Sequence, residues 1–335
     1  MWGWSRQLSA FLALLAPLTL YAGGADYSPE QWLERMADSL HRYSYEGTFI
    51  FQRGDRIDTV RVVHSAEEDG YREHLQTLTG SAREVVRKVD RVSALKGARI
   101  EADGDKQGSL QRPPAFAGAM LRANERYDLT AHGFDRIAGF TCFKLHAAAR
   151  DEYRYSHQYC LHSETGLPLL SELIDSDGQL LERLVFTELS FLDVVFEEAL
   201  TPRGSEARRI ELRAAEEMQQ GPSEQAGQWY FEGLPPGFMT VIATERRFGA
   251  EDEESSLHFV LSDGLATVSV YVNAADEGKE AFKAAMRSGA THAVARPVAG
   301  HQVMVVGEVP RKTVERIAEA ARFRPPDTGE GETAR

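Results

Sequence analysis

Apolar and polar residues alternate in many short segments of this chain, but not around residues 32–43. There the apolar residues recur at helical spacing instead, at Trp32, Met36, Leu40 and Tyr43. Ser28 supplies an N-cap in front of them, Pro29 suits a first helical turn, and Gln31 completes a capping box. The pattern predicts an amphipathic helix that begins at Ser28.

Short segments with strand-like alternation follow this helix, separated by Gly and Asp residues. They occupy 45–52, 59–64, 71–77, 84–88 and 93–95, and then 140–146, 153–162, 168–175 and 179–191. Asp177-Gly178 is typical of a tight hairpin turn between the last two. We expect one large antiparallel sheet, with the apolar part of residues 107–125 forming a helix across one of its faces.

The alternation fades between residues 197 and 227, apart from a short candidate strand at 209–212, and resumes afterwards. Strands are predicted at 257–261 and 265–273, on either side of the turn at 262–264, and at 302–309. Phe282, Ala285 and Met286 favour a helix that ends at Gly289, and a last helix begins at Pro310. The predicted fold class is α+β, with a large curved antiparallel sheet followed by a smaller α+β domain.

The first residues predict export. Arg6 precedes an apolar run over residues 8–22, and small residues follow at 22–25, which is the pattern of a cleavable signal peptide. A buried helix or a membrane anchor is the alternative, and the shortness of the run disfavours it. The predicted organisation is a signal peptide (1–25), an N-terminal domain (26–200), a linker (201–227), a C-terminal domain (228–324) and a disordered tail (325–335).

The charge of the chain disfavours one class of partner. The 335 residues carry a formal charge of −13, and removal of Arg6 with the signal peptide changes it to −14. A strongly negative protein is repelled by phosphate backbones. We therefore expect no nucleic acid partner.

The two cysteines are predicted to form a disulfide. Cys142 and Cys160 lie in aromatic-rich, strand-like flanks on either side of a predicted turn at 150–152, which would place them directly opposite each other. An exported protein folds where thiols are oxidised. The alternative is a pair of buried free thiols that pack as small hydrophobic residues.

Motifs for catalysis are missing from the sequence. It contains no G-x-S-x-G, H-E-x-x-H, C-x-x-C, Walker or G-x-G-x-x-G motif. Asp175-Ser176-Asp177-Gly178 partly matches a calcium loop, but the glycine comes too early and a hairpin turn explains it better. We expect neither an enzyme nor a bound cofactor or metal.

Five blocks of the C-terminal half carry a resemblance to a known family. They are Leu234-Pro235-Pro236-Gly237-Phe238, Ser262-Asp263-Gly264-Leu265, Arg287-Ser288-Gly289-Ala290, Val306-Gly307-Glu308-Val309-Pro310 and Arg316-Ile317-Ala318. In order and spacing they resemble the C-terminal domain of the RseB/MucB family of periplasmic negative regulators. Three N-terminal segments, at 32–36, 45–49 and 166–169, resemble the same family, so the resemblance covers about residues 27–323.

This resemblance implies a fold and a function. It implies an N-terminal domain like the lipoprotein carriers LolA and LppX, a half-open barrel with a hydrophobic concavity. It also implies a protein that binds the periplasmic domain of an anti-sigma factor like RseA or MucA and shields it from the site-one protease. Lipid or lipopolysaccharide binding would then release that partner. The alternative is a periplasmic carrier of lipids or lipoprotein acyl chains, and a homo-oligomer is left open.

Candidate site residues follow from these expectations. Phe116, Met120 and Leu121 are candidates for lining a lipid cavity, although such an apolar stripe is more often core. Phe238, Asp263 and Gly264 are candidates for binding the partner, although turn geometry alone would explain the glycine.

Overall fold

The computed structural model describes most of the chain that follows the predicted signal peptide. The described residues are 27–68, 70–80, 83–90, 125–201, 208–212, 224–248, 254–274 and 284–325. The predicted signal peptide, the cavity candidates Phe116, Met120 and Leu121, and residues 326–335 of the predicted tail lie outside them. In the part that is described, no helix is long and apolar enough to cross a membrane.

Helix α1 (Pro29–Arg42) opens the fold as the sequence predicts. Ser28 accepts a hydrogen bond from the backbone N–H of Gln31, and the Gln31 side chain accepts one from the backbone N–H of Ser28. The capping box is therefore confirmed, and it satisfies two of the amide groups that a helix start leaves unpaired.

Ten strands form the N-terminal sheet. They are β1 (Ser44–Arg53), β2 (Arg56–Glu67), β3 (Gly70–Thr77), β4 (Glu84–Asp90), β5 (Tyr127–Ile137), β6 (Phe140–Ala149), β7 (Ser156–His162), β8 (Pro168–Ile174), β9 (Leu180–Leu192) and β10 (Arg208–Leu212). Their spatial order is β10-β4-β3-β2-β1-β9-β8-β7-β6-β5. All neighbours are antiparallel except β10 and β4, which are parallel. Strand β10 lies inside the predicted linker, and it extends the large sheet by one strand.

The sheet is strongly curved, because one short helix reaches two distant strands. Trp32 stacks on Phe143 of β6 at 4.7 Å between ring centroids, and His41 contacts Tyr71 of β3 at 5.7 Å. Six steps separate β3 from β6 in the sheet order, about 29 Å if the sheet were flat. Residues 32 and 41 are only about 14 Å apart along the helix axis. The sheet must therefore bend around α1, which agrees with the predicted curvature. The helix expected across one of its faces falls within residues 107–125, of which 107–124 lie outside the described residues.

A smaller domain follows. Its elements are α2 (Glu224–Gly227), β11 (Trp229–Phe231), β12 (Met239–Phe248), β13 (Glu254–Ser262), β14 (Thr267–Ala274), β15 (Ala284–Ser288), β16 (Thr291–Val298), β17 (His301–Gly307), α3 (Arg311–Ala320) and β18 (Ala321–Phe323). Strands β12-β13-β14-β17-β16-β15 form one sheet, and β11 pairs with β18. Val314 and Ile317 of α3 pack with sheet valines such as Val270 in one core. The predicted α+β class, with a large and a small sheet, is confirmed.

Two local predictions are wrong. The helix expected to end at Gly289 is strand β15 over 284–288, an exposed edge strand joined to β16 by a turn at Gly289 and Ala290. The disulfide between Cys142 and Cys160 is present, with 5.3 Å between the Cα atoms, but its predicted register is wrong. Cys142 faces His162, not Cys160, because the turn is centred on Glu152. The disulfide therefore joins diagonal neighbours of β6 and β7.

Candidate functional site

The turn between β6 and β7, residues 150–155, connects the two domains. It lies against the β13–β14 turn, the loop before β12, the β15–β16 turn and the start of α3. The side chains that cross this junction are mainly polar, and two clusters of charge stand out.

The first cluster, the Arg154 node, comprises Tyr127, Asp151, Arg154 and Asp263. The Arg154 guanidinium donates to Asp151 at 2.9 Å, to Asp263, and to the backbone carbonyl of Pro236 at 2.6 Å. The Tyr127 hydroxyl donates to Oδ2 of Asp263 at 3.2 Å. Arg154 thus links one carboxylate of each domain.

The carboxylate of Asp263 is fully surrounded by donors. Its Oδ1 accepts from the backbone N–H groups of Leu265 at 3.1 Å and Ala266 at 2.8 Å, in the turn that holds it. Neither the Asp263 nor the Arg154 side chain reaches solvent. Burial raises the pKa of Asp263 above its ordinary value, although Arg154 and these donors oppose the rise. Burial, with the charge of Asp263, also raises the pKa of Tyr127.

The second cluster, the Arg53 node, comprises Arg53, Glu182 and Glu308. Arg53 ends β1 and donates from Nε to Glu182 of β9 at 2.8 Å. Its Nη2 donates to Glu308, which follows β17 in the other domain, at 3.4 Å. Glu182 also accepts a hydrogen bond from the backbone N–H of Ala290. One guanidinium is therefore shared by two carboxylates that come from different domains.

The two carboxylates of the Arg53 node are costly to ionise together. Burial raises the pKa of Glu308 to about 8, the negative charge of Glu182 adds to the rise, and Arg53 opposes it. Burial also raises the pKa of Glu182, against the effect of Arg53. Like charges close together in a poorly hydrated site disfavour double ionisation.

Further contacts complete the junction. The Thr313 hydroxyl donates to the Tyr153 carbonyl at 2.7 Å, and Lys312 forms an exposed ion pair with Glu152 at 2.6 Å. Ala290 packs against Tyr155 in a small apolar cluster. The junction thus combines apolar packing with polar contacts along the whole β6–β7 turn.

The three partner-binding candidates all lie at this junction. Asp263 and Gly264 form the β13–β14 turn, and the Phe238 ring centroid is 5.5 Å from the guanidinium carbon of Arg154. All three are buried. In this structure Asp263 and Phe238 contact Arg154 of the N-terminal domain. The role of all three candidates in binding a partner stays a prediction.

Sequence reasoning identified Asp263 but missed the other charged residues of the two nodes. Arg53, Arg154 and Glu182 are far apart in the chain and belong to no motif, and Glu308 lies in a block of the family resemblance but was not singled out. The available signal was local: Arg154 follows the predicted turn at the start of an aromatic strand, where a charge needs a buried partner. That signal does not say which residue the partner is.

A pocket of about 330 Å³ lies away from the junction, beside the disulfide. Its lining includes His132, His146, Lys144 and Asp135 together with apolar residues. Lys144 is already 3.6 Å from Asp135. Across the described ranges, no group of three or more His, Cys, Asp or Glu side chains is arranged to hold a metal ion.

Comparison with known proteins gives the same result for both domains. The family model for the MucB/RseB N-terminal domain matches residues 28–210, and the model for the MucB/RseB C-terminal domain matches residues 223–322.

Two relatives align along almost their whole length. The sigma factor AlgU regulatory protein MucB of Pseudomonas aeruginosa is 32% identical over 326 residues, covering 94% of this chain and 98% of that protein. The sigma-E factor regulatory protein RseB of Escherichia coli is 26% identical over 326 residues, covering 95% and 98%.

A solved structure shares the fold. It is a complex of MucA and MucB from Pseudomonas aeruginosa, and its matching chain has 31% sequence identity, a TM-score of 0.65, and coverage of 89% of this chain and 99% of its own. Together with the two family models, which span both sheets, this places the chain in a family, as its sequence blocks indicated: it belongs to the MucB/RseB family.

Proposed function

We propose that this protein is a periplasmic regulator that binds the periplasmic domain of a membrane-spanning anti-sigma factor. By covering that domain it shields it from site-one proteolysis, and so keeps the envelope-stress sigma factor repressed. The observation that carries the proposal is the match to MucB, which covers both domains and has been solved together with MucA.

The chemistry of the junction supports a binding role over catalysis. The buried charges of the Arg154 node are neutralised by each other and by backbone donors, so none is left to act on a substrate. A regulator needs only differential affinity for its partner, with no covalent step. We therefore propose that the protein is not an enzyme.

A direct binding measurement tests the proposal. The chain over residues 26–335 is titrated with the periplasmic segment of the cognate anti-sigma factor, and the complex is then exposed to the site-one protease. We expect a saturable complex and slower cleavage of the segment. Binding that is absent, or cleavage that is unchanged at saturation, would contradict the regulator.

The second domain separates the regulator from a lipid carrier. A carrier needs only the curved sheet, whereas we propose that partner binding also needs residues 228–335. We expect their deletion to abolish partner binding while lipid uptake remains. The deletion also removes Asp263, the buried partner of Arg154, so Asp263→Asn in the full chain serves as a second variant with a smaller change. Unimpaired partner binding by both variants would contradict this assignment.

Lipid release of the partner is a further part of the proposal. If lipid prefers the form that does not hold the anti-sigma factor, linkage requires that lipid lowers partner affinity and that the partner lowers lipid affinity equally. Titration of the segment with and without lipopolysaccharide should show both effects. Lipid uptake without any change in partner affinity would instead favour the carrier.

A further inference from the structure

The two charged nodes join the same pair of domains but supply their carboxylates with different numbers of donors. We propose that the domain junction is a pH-sensitive clamp, in which ionisation of both carboxylates of the Arg53 node weakens docking of the C-terminal domain while the Arg154 node holds. This goes beyond the proposed function and does not depend on it.

The geometry of the Arg53 node supplies the first argument. Arg53 lies between Glu182 of its own domain and Glu308 of the other, at 2.8 Å and 3.4 Å. Glu182 has a second donor, the backbone N–H of Ala290. The longer Arg53 contact is the one that crosses to Glu308. Glu308 is therefore the less compensated charge, and it comes close to Glu182 only when the domains dock.

The elements around the node contribute few other charges. Strand β1 contributes Arg53, whose guanidinium carbon lies 5.2 Å from the centroid of the Phe51 ring, and strand β9 contributes Glu182. The β15–β16 turn contributes Gly289 and Ala290. Arg287, on β15, donates a hydrogen bond from Nε to the Gly289 carbonyl at 3.1 Å.

Two titratable side chains lie nearby on the β6–β7 turn and on β16. Tyr155 and His292 approach each other at 3.5 Å, and Nδ1 of His292 is 2.9 Å from the Val309 carbonyl. Burial raises the pKa of Tyr155 to about 12, which keeps it neutral over the range of interest. The charges that act on Glu308 are Glu182 and Arg53.

The sign of the effect follows from linkage. In the docked state the pKa of Glu308 is about 8, compared with 4.5 for a solvated glutamate. Between these two pH values the docked form holds a proton on Glu308 that the undocked form has released. Docking is therefore most favourable below pH 4.5. It weakens as the pH rises from there to about 8. The raised pKa of Glu182 acts in the same direction.

The Arg154 node has a different supply of donors. Asp263 receives hydrogen bonds from Arg154, Tyr127 and two backbone N–H groups, so its charge is compensated within the docked junction. Its pKa is also raised, and that contribution has the same sign. A variant at Glu308 separates the two nodes, because it leaves Asp263 unchanged.

Single-molecule fluorescence transfer between the domains tests the clamp. Dyes are attached to Ser176→Cys and Glu319→Cys, two exposed positions on opposite domains, in the chain over residues 26–335. The native cysteines are paired and do not react. We expect the ratio of undocked to docked molecules to rise at least about tenfold from pH 5.5 to pH 8.5. This is less than the full pKa shift gives, because 26% of the Glu308 side chain still reaches solvent.

Two variants make the test specific. Glu308→Gln should reduce the pH response to less than about twofold, while Glu315→Gln, in an exposed pair with Arg311, should keep the full response. If Glu308→Gln does not fold, Glu182→Gln also leaves one carboxylate for the arginine and should weaken the response. An equal docked fraction of the unsubstituted chain at both pH values, or an unreduced response in the Glu308 or Glu182 variant, would overturn the proposal.

Discussion

The Arg154 node and the Arg53 node each set one guanidinium between two carboxylates, yet they satisfy these charges differently. At the Arg154 node, Asp263 has four donors and neither it nor Arg154 reaches solvent. At the Arg53 node, Glu308 has Arg53 at 3.4 Å and remains 26% exposed. Both nodes contain one arginine, so the number of arginines does not distinguish them. They differ in the number of donors that surround each carboxylate, and we expect this number to set the strength of each charged contact.

Removing each arginine in turn should separate the nodes most clearly. Arg154→Met leaves the charge of Asp263 buried without a cationic partner, so we expect the free energy of unfolding to fall by about 3–5 kcal/mol. Arg53→Met should cost only about 1–2 kcal/mol at neutral pH, because Glu308, with a pKa of about 8, already holds a proton there and Glu182 keeps the backbone N–H of Ala290 as a donor. Urea unfolding at matched pH measures both losses.

Equal losses for the two methionine variants would contradict this comparison. A matched control is Arg311→Met, which removes an exposed pair with Glu315 and should change the unfolding free energy by less than about 1 kcal/mol.

A glycine at the Arg53 node offers a second, smaller test. Gly289 has φ +60°, and a Cβ there would lie 2.5 Å from Cγ of Arg53. Gly289→Ala should therefore cost about 1–2 kcal/mol, since it adds backbone strain and displaces Arg53 from its carboxylates. Gly300→Ala is the control, because its φ is +77° and nothing lies within 4 Å of the added Cβ.

The two glycine variants should differ in more than stability. Both carry backbone strain, but we expect only Gly289→Ala to weaken the pH response of domain docking. Identical pH responses in these variants would show that Arg53 adjusts to the added methyl group without leaving the node.

The smallest expected effect is that of single hydroxyl groups. Tyr127→Phe removes a hydrogen bond to Asp263 and should cost about 1 kcal/mol. Tyr155→Phe should cost less, because its hydroxyl is 3.5 Å from Nδ1 of His292, at the limit of a hydrogen bond. Thermal unfolding of the two variants, measured side by side, gives the order, and the reverse order would contradict this ranking of the two hydroxyl groups.

Local signals in the sequence predicted those parts of the fold that nearby residues determine. The capping box of α1 depends on residues three positions apart, and the hairpin at Asp177-Gly178 depends on two neighbours. Each formed as expected. The pairing of Cys142 with Cys160 was also predicted correctly, because both lie in the strands that flank one turn. Their register depends on which residue is at the centre of that turn, and the sequence of the flanking strands does not determine it.

Two strands at sheet edges, β5 and β15, escaped prediction, whereas the edge strand β10 matches the candidate strand at 209–212. Strand β5 lacks a buried alternation, because most of its side chains are exposed and its pairing with β6 shifts between Ala131 and Phe134. Strand β15 is exposed throughout, so the helical spacing of Ala285 and Met286 with Phe282 did not reflect a buried face. Where no core contact selects a periodicity, the pattern of apolar residues carries little information.

The junction could not be predicted because its charges are brought together only by tertiary structure. Asp263 lies in a turn block of the family resemblance, whereas Arg154 lies 109 positions earlier in the chain. Glu308 and Arg53 are 255 positions apart. No local periodicity links residues at such separations.

The disulfide has a consequence for how the two domains come together. It closes a loop of the chain between residues 18 positions apart, and that loop contains the β6–β7 turn with Asp151, Arg154 and Tyr155. A crosslink of this span lowers the entropy of the unfolded chain by the equivalent of about 3 kcal/mol. The N-terminal half of the junction is therefore a preorganised template. We expect the C-terminal domain, which is synthesised later, to dock with a smaller loss of entropy than it would on a turn without this crosslink.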